Sequence, residues 1–374
     1  MKNLQAREEN LQNSIPMLKK FLKRVRSRIF RLLNSSGYFS TIRTFTKVVD
    51  AKSLATKKLL IIAPGEIQIP SLGWGAVETI ISETLFTYEA EGFEVWLLNS
   101  KHPFDWRKAS KLDFDVILNH ADSLSGRIRN TWPKTKIVVV SHYGLAAFPS
   151  LWDKGYKKIL NEMKKCDYIV CLSAQIFEVF KQYFEESKLI ISSNGTSFLP
   201  QIKTNSQNRI LCLGKVEVRK KQYELWKTTQ NSEIEIIFAG PIVDERVLLE
   251  IRKTPTLSEV FIGPISREQL IIEFGNYDAL ILPSIGEADA LVLYEAQMAG
   301  LIILVSSSGI GAQNPNLDWI HVTTDNPNPI EIKALINSTT SSPREIAEYA
   351  SKNYTWTIRN KEIIKLLKRI SNYE

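Results

Sequence analysis

The stretch that decides the fold of this chain reads Leu282-Pro-Ser-Ile-Gly-Glu-Ala-Asp-Ala-Leu-Val-Leu-Tyr-Glu-Ala-Gln-Met-Ala-Gly300. The apolar run 277–282 predicts a buried parallel strand, and the run 301–305 predicts a second one. Between them, residues 291–299 predict a helix that ends at Gly300. The stretch is therefore a strand, loop, helix and strand of a parallel α/β sheet. Ligands bind such sheets outside the carboxyl ends of the strands.

Two carboxylates lie in this unit at the expected ligand-binding edge. Glu287 falls in the loop after the first strand, and Glu295 follows about two turns along the helix. The free amides at the start of that helix favour an anion or a sugar hydroxyl in the same place. The spacing alone also fits two solvated glutamates on a surface helix, so the surrounding pattern has to decide.

Alternation of strands and helices extends over most of the chain, in two series. Such alternation predicts two parallel sheets, each covered by helices on both faces. The predicted domains are residues 57–200 and 201–345, preceded by a segment over 1–56, with a linker from 38 to 56, and followed by helices over 346–374. The predicted strands are 59–63, 94–98, 115–118, 136–140 and 168–172 in the first series, and 209–213, 234–239, 260–262, 279–282 and 301–305 in the second.

The composition is that of a soluble globular protein. The chain has 374 residues, of which 44% are hydrophobic and 24% charged, and this length suits two domains. Because it contains no apolar run of 18 residues and no secretory signal pattern, we expect a cytoplasmic protein. Buried free thiols are expected, since the cysteines lack Cys-x-x-Cys spacing. The histidines have no metal-ligand spacing, and no zinc site is predicted. The cysteines are Cys166, Cys171 and Cys212.

The net charge of +8 is concentrated near the N-terminus, since the first 52 residues hold 12 Lys or Arg and only 3 Asp or Glu. Residues 17–33 place Leu, Phe, Val and Ile on one helical face and seven basic side chains on the others. This pattern favours a basic amphipathic helix that binds an anionic membrane surface. Docking on the protein's own body or on a partner fits the same pattern. Nucleic acid is not a predicted partner, because no recognised nucleic-acid motif follows.

Three further features supply candidate ligand-binding residues. Gly73 and Gly75 lie in the loop after the first strand and allow the backbone to approach a ligand closely, although the loop is not a P-loop. His142 follows the strand 136–140, and His120, after another strand, is the reserve candidate. A basic turn, Gly-Lys-Val-Glu-Val-Arg-Lys-Lys-Gln over 214–222, follows the first strand of the second series.

Taken together, these features resemble retaining glycosyltransferases of family 4, which have the GT-B architecture of two Rossmann-like domains facing a cleft. The resemblance covers about residues 57–370 and is most specific over 282–300. It implies that Glu287 contacts the transferred sugar and that Glu295 holds the ribose hydroxyls of the nucleotide. It also implies that the last helices cross back onto the N-terminal domain.

The resemblance assigns the remaining site residues by position. Gly73 and Gly75 would lie over the donor phosphates and the acceptor, and His142 would reach toward the donor sugar. Two bases clamp the diphosphate in this family. The matching residues here are Lys215, in place of the usual Arg, and Lys221, with Lys220 as the alternative.

The loop after Glu287 departs from the family pattern. The family usually has Pro-Phe-Gly there, whereas this chain has Ala288-Asp289-Ala290. The change narrows the space for the sugar and adds a charge, so it leaves the identity of the sugar open. Asp289, Ala290 and Leu291 complete the predicted donor-binding set.

The resemblance implies transfer of a sugar, with retention, from a nucleoside diphosphate sugar to a hydroxyl of a glycan or lipid-linked acceptor. Such an enzyme would act in cell-surface polysaccharide or glycolipid synthesis. We expect no cofactor and no metal, because the triplet Asp113-Phe-Asp115 resembles a strand entry with a buried Phe114 more than a metal site. The alternative is a non-catalytic nucleotide-sugar-binding or scaffold protein with the same fold. An epimerase or a phosphorylase is a third option, but the sequence lacks their motifs.

Overall fold

The computed structural model describes residues 42–48, 57–71, 75–203 and 208–371. Two α/β domains, each built on a sheet of mainly parallel strands, face each other across a cleft. This confirms the predicted fold class. The predicted basic helix over 17–33 lies outside the described residues.

The N-terminal sheet has seven strands in the order β1-β3-β2-β4-β5-β6-β7, and all neighbours are parallel except β1 and β3. Its four central strands are almost wholly buried, as continuous Val, Ile and Leu runs predict for a sheet covered on both faces. The strands are β1 (Arg43–Lys47), β2 (Lys57–Ile62), β3 (Phe93–Ser100), β4 (Val116–Asn119), β5 (Lys136–Val140), β6 (Tyr168–Cys171) and β7 (Leu189–Ile191).

Strand β1 corrects the sequence analysis, which predicted a linker over 38–56. Phe45 stacks on Trp96 of β3, with ring centroids 5.4 Å apart, and Arg43 pairs with the buried Asp105 at 2.8 Å. A short alternation of Thr and Phe is enough to add an edge strand when the neighbouring strand offers an aromatic partner.

Helices cover both faces of the N-terminal sheet. Helix α1 begins at the predicted glycine loop and ends before Gly92, which has a φ of 91°. This left-handed conformation is what a glycine at a helix end provides. The helices are α1 (Ala76–Ala90), α2 (Pro103–Ala109), α3 (Ser125–Thr131), α4 (Lys154–Met163) and α5 (Ala174–Phe180).

The C-terminal sheet has six parallel strands in the order β10-β9-β8-β11-β12-β13. Its strands are β8 (Arg209–Leu213), β9 (Glu235–Ala239), β10 (Phe261–Gly263), β11 (Ala279–Leu282), β12 (Ile302–Ser306) and β13 (Ile320–Thr323). Its helices are α6 (Gln222–Thr229), α7 (Glu245–Lys253), α8 (Arg267–Glu273), α9 (Leu291–Met298) and α10 (Pro329–Ser338). The stretch 282–300 therefore runs from the last residue of β11 through a loop and α9 to Gly300, just before β12.

The last three helices connect the two domains. Helix α11 (Pro343–Asn353) packs on α9 of the C-terminal domain. The chain then crosses over: α12 (Trp356–Arg359) contacts α1, and α13 (Lys361–Ile370) places Leu366 and Leu367 in the N-terminal core.

Strand order reverses once in each sheet, between β2 and β4 and between β8 and β11. In such sheets, ligands bind at the carboxyl ends of the strands where the order reverses. The loops after these four strands carry the glycine loop, His120, the basic turn and Glu287. The fold therefore brings most of the candidate residues to one cleft.

The three cysteines are free and buried, as predicted. Within the ranges that the structure covers, no helix is long and apolar enough to cross a membrane.

Candidate functional site

A cavity of about 370 Å³ lies between the two domains, where the strand order reverses. This volume is within the usual range for small-molecule sites. Its N-terminal wall includes Gly75, Ile80 and His142, and its C-terminal wall includes Lys220 and Glu287. Glu295, Lys215, Asp289, Ala290 and Leu291 also line it.

Glu287 lies in the loop after β11, in contact with two cations. Its Oε1 is 3.1 Å from Nζ of Lys220 and 3.4 Å from Nη1 of Arg219, and its side chain is only 11% exposed. Burial alone would raise the pKa of Glu287, but the charges of Lys220 and Arg219 outweigh burial and lower it. The site therefore holds a buried carboxylate that is ionised at neutral pH.

The basic turn brings Lys215 and Lys220 to the cavity, but not Lys221. Lys221 adopts a left-handed conformation, with a φ of 53°, at the start of α6. Its ammonium donates to the carbonyl of Asp325 at 3.1 Å, away from the cavity. Of the two candidates for the second base, Lys220 lies in the cleft and Lys221 lies outside the cavity lining; their roles toward a diphosphate stay predictions.

Arg219 contacts Glu287 from outside the cavity lining, and the sequence analysis missed it. Its guanidinium donates to the Gly286 carbonyl and, at 3.0 Å, to the Glu217 carboxylate. A side chain at Gly144, in the loop of the opposite domain, would meet Nη1 of Arg219 at 3.0 Å. The basic composition of the turn was visible in the sequence, but which of its cations reaches Glu287 depends on how the turn folds.

Glu295 lies on α9 with its side chain 6% exposed, and Nη1 of Arg267 is 2.7 Å from its Oε1. Burial raises the pKa of Glu295, Arg267 acts to lower it, and the nearby Glu83 raises it further. Arg267 begins α8 and lines the cavity. No sequence signal identified it, because a contact between residues 28 positions apart leaves no local pattern.

His142 and His120 form a pair at the N-terminal side of the site. Nδ1 of His120 is 3.0 Å from Nε2 of His142, and the rings stack with centroids 5.2 Å apart. Burial lowers the pKa of His142 to about 4, and burial together with His142 lowers the pKa of His120 well below its ordinary value. Both imidazoles are therefore neutral at pH 7. The two histidines that the sequence analysis proposed as alternatives, His142 and His120, are therefore hydrogen-bonded to each other.

Asp289 lines the cavity, but its carboxylate is bound by the protein itself. Asn194 donates its amide to Oδ2 at 2.7 Å, the Tyr294 hydroxyl lies 2.8 Å from each oxygen, and Ala312 donates its amide to Oδ1 at 3.2 Å. Burial raises the pKa of Asp289 to about 6, against the opposing effect of these hydrogen bonds. The carboxylate fixes the loop to Asn194, at the end of the N-terminal domain, while the predicted part of Asp289 in donor binding stays a prediction.

Backbone groups complete the cavity wall. Gly75 has a φ of 113°, a conformation that side chains disfavour, and a Cβ there would meet the Glu78 carboxylate at 2.9 Å. Ala290 is the N-cap of α9 without a side-chain cap, and the first turn of this helix, with its free amides, lines the cavity at Ala290 and Leu291. Gly73 lies outside the described residues.

The aspartates of the triplet Asp113-Phe-Asp115 lie away from the cleft, at the amino end of β4. Asp115 accepts a hydrogen bond of 2.7 Å from the Lys58 amide, and Phe114 is buried as predicted. In the part of the chain that the structure covers, no group of three or more His, Cys, Asp or Glu side chains could hold a metal ion.

Comparison with known protein families gives a match over the C-terminal part of the chain. Residues 190–355 match the model of the family described as Glycosyl transferases group 1. This segment contains the basic turn, Arg267, Glu287 and Glu295. No curated protein sequence matches the chain.

Solved structures resemble most of the chain. Sucrose-phosphate synthase from Thermosynechococcus elongatus superposes with a TM-score of 0.69, at 12% identity, over 85% of this chain and 100% of that one. HepE from Anabaena in complex with UDP-glucose gives 0.62, at 15% identity, over 84% and 100%. The lipopolysaccharide outer core galactosyltransferase WaaB gives 0.55, at 16% identity, over 82% and 98%. These similarities show that the fold is the GT-B fold of glycosyltransferases.

Proposed function

We propose that this protein is a glycosyltransferase that moves a sugar from a nucleoside diphosphate sugar to a hydroxyl, with retention at the anomeric carbon. The observation that carries the proposal is the buried, ionised Glu287 between Lys220 and Arg219, in the same cavity as the buried Glu295. The match of this wall to a glycosyltransferase family and the UDP-glucose bound to HepE support a nucleotide-sugar donor.

The cations of the site provide positive charge where the proposed reaction develops negative charge. When the glycosidic bond to the diphosphate breaks, negative charge develops on the leaving phosphate and positive charge on the sugar. Lys215 and Lys220 stabilise the phosphate, and the amides at the start of α9 add positive potential. Glu287 contacts the transferred sugar, and Glu295 binds the ribose. Because three cations, Lys215, Lys220 and Arg267, line the cavity, we propose that turnover needs no divalent metal.

Among the residues that the structure describes, no second carboxylate is placed as a nucleophile, and we therefore propose displacement on the same face of the sugar. Glu295 belongs to the nucleotide site and is held by Arg267, and the Asp289 carboxylate is bound by protein donors. The neutral His142 lines the cavity from the N-terminal domain. It donates a hydrogen bond to the donor sugar or accepts one from it.

A transfer assay with Glu287→Gln tests the proposal. Purified protein is given a panel of nucleoside diphosphate sugars, with and without chelator, and the anomeric configuration of the product is read by NMR. We expect turnover with chelator present, a retained configuration, and a loss of roughly 100-fold in kcat for Glu287→Gln. Glu233→Gln, at an exposed glutamate, is the matched control. If the wild type binds nucleotide sugars but neither hydrolyses nor transfers them, the alternative of a non-catalytic binding protein is correct.

We also propose that the acceptor is a glycan or lipid-linked sugar and that the basic segment 17–33 holds the enzyme on an anionic membrane surface, on its cytoplasmic side. The support is the concentration of charge: 12 of the basic residues lie in the first 52 positions. Deleting residues 1–40 is expected to release the protein from anionic vesicles while activity on a soluble acceptor analogue persists. A truncated protein that still co-sediments would contradict this.

A further inference from the structure

Arg267 bridges the two domains at the edge of the cavity. Its Nη1 is 2.7 Å from Oε1 of Glu295, on α9 of the C-terminal domain, and its Nη2 is 2.6 Å from Oε1 of Glu83, on α1 of the N-terminal domain. The side chains of Arg267, Glu83 and Glu295 are 24%, 13% and 6% exposed, so the three charges are mostly shielded from solvent. One guanidinium is therefore shared by two carboxylates from different domains.

Glu83 is in turn bound to both segments through which the chain passes between the domains. Its Oε2 accepts a hydrogen bond of 2.8 Å from the amide of Ser197, in the outward connection after β7. The same oxygen accepts a hydrogen bond of 2.6 Å from Nε1 of Trp356, at the start of α12 on the return. The position of Glu83 thus depends on how the two domains are set against each other.

The guanidinium has a defined place between these partners. Arg267 lies over the ring of Phe198, with Cζ 4.7 Å from the centroid, and Phe198 follows directly after Ser197 in the outward connection. The Arg267 guanidinium is held on one face by an aromatic ring and at both ends by carboxylates. A displacement of α1 relative to α8 therefore changes its contacts.

We propose that Arg267 is a positioning residue that couples the setting of the two domains to nucleotide binding at Glu295. With Glu83 in place, Arg267 gives Glu295 one hydrogen bond and leaves acceptor capacity on that carboxylate for ribose hydroxyls. When α1 moves away, Arg267 loses its second partner and turns fully to Glu295 as a bidentate pair, which takes up both oxygens. Through Glu83, the N-terminal domain thereby controls the state of Glu295 in the opposite domain.

This inference rests on the proposed function, in which Glu295 holds the ribose. It requires that removing charge from Glu83, in the opposite domain, weakens binding of the nucleotide. It also requires the reciprocal effect, because coupling between two equilibria acts equally in both directions. The nucleotide must therefore favour the domain setting in which Glu83 contacts Arg267.

The test compares Glu83→Gln with Glu91→Gln. Both substitutions lie at α1, and Glu91 also pairs with a C-terminal helix, at 2.6 Å from Lys368, but has no connection to Arg267 or the cavity. Calorimetry with UDP, GDP and ADP gives the affinity, and a fluorophore pair across the cleft reports the interdomain distance with and without nucleotide.

We expect Glu83→Gln to weaken binding of the preferred nucleotide 5-fold or more, the lower end of typical coupling between sites, and to abolish the change in interdomain distance. Glu91→Gln should leave both unchanged. Trp356→Phe, which keeps the ring packing but removes the donor to Glu83, should weaken binding in the same direction and serves if Glu83→Gln does not fold. Wild-type affinity in either folded variant would overturn the coupling. A wild type that binds no nucleotide would instead overturn the proposed function.

Discussion

The two walls of the cavity differ in the kind of polar group that they present. The N-terminal wall is neutral: it combines apolar side chains such as Ile80 with His142, whose pKa burial lowers to about 4. The C-terminal wall is ionised: Lys220 pairs with Glu287, Arg267 pairs with Glu295, and Lys215 adds a further positive charge. The difference is that the C-terminal wall offers charged partners to a ligand, whereas the N-terminal wall offers apolar surface and neutral hydrogen-bonding groups.

This division agrees with the chemistry of the proposed substrates. A nucleoside diphosphate is anionic, and charged partners bind it strongly, whereas a sugar hydroxyl is neutral and needs only hydrogen bonds. The division also agrees with the family match, which covers residues 190–355 and hence the ionised wall. Each of the following experiments tests one side of this comparison or the joint between the sides.

The largest effect on stability is expected where the two walls meet, at the hydrogen bond between Asp289 of the ionised wall and Asn194. Asp289→Ala would leave the Asn194 amide, the Tyr294 hydroxyl and the Ala312 amide buried without their acceptor. We expect a loss of roughly 3 kcal/mol or more in the free energy of unfolding, measured by urea denaturation. Glu233→Ala at the exposed surface is the control, for which a change below about 0.5 kcal/mol is expected. A similar small change for both variants would show that Asp289 does not hold the walls together.

The next effect sharpens the contrast from the ionised side. Lys220→Ala is expected to weaken binding of the free nucleoside diphosphate by about 1.5–3 kcal/mol, the range for a charge-assisted hydrogen bond. Lys221→Ala is a closely matched control, because the neighbouring ammonium binds the Asp325 carbonyl instead. Calorimetric titration of the two variants decides between them. A larger loss for Lys221→Ala would support Lys221, the base that the sequence analysis assigned first.

The smallest effect concerns the neutral wall and its response to pH. The pKa of His142 is about 4 in the folded protein and near 6.5 when unfolded, so its contribution to stability is complete above pH 6.5 and is lost as pH falls. Between pH 7 and pH 6 the loss from this histidine is about 0.7 kcal/mol. His142→Gln should therefore show a shallower fall in unfolding free energy over this interval than the wild type. Asp289 also titrates near pH 6, but it is present in both proteins and cancels. Equal slopes would mean that His142 is not held neutral.

Sequence reasoning was most effective where structure is local. The strand β8, the strand β11 and helix α9 follow from apolar runs and a glycine stop, and they occur where expected. Glu287 and Lys215 lie in the predicted cleft because loops after parallel strands meet at one edge of a sheet. The edge strand β1 was missed because its pairing with β3 depends on a contact with Trp96 far along the chain.

The side-chain partners could not be predicted in the same way. The choice between Lys220 and Lys221 depends on the left-handed backbone at Lys221, which rotates successive side chains to different sides. Arg267 reaches Glu83 across a separation of 184 positions, and only the assembled domains reveal that contact. The roles assigned to Glu287, Glu295 and His142 remain predictions that the experiments above address.

The return of the chain to the N-terminal domain has a consequence for synthesis on the ribosome. Leu366 and Leu367 of α13 belong to the N-terminal core, although they follow the whole C-terminal domain in the sequence. Domains generally fold as units, the earlier one first, as the chain emerges. Here part of the apolar surface of the N-terminal domain stays uncovered until the C-terminal domain and the last helix have been synthesised. The C-terminal domain, with the ionised wall, is therefore the first that can complete its core, and the neutral wall is finished last.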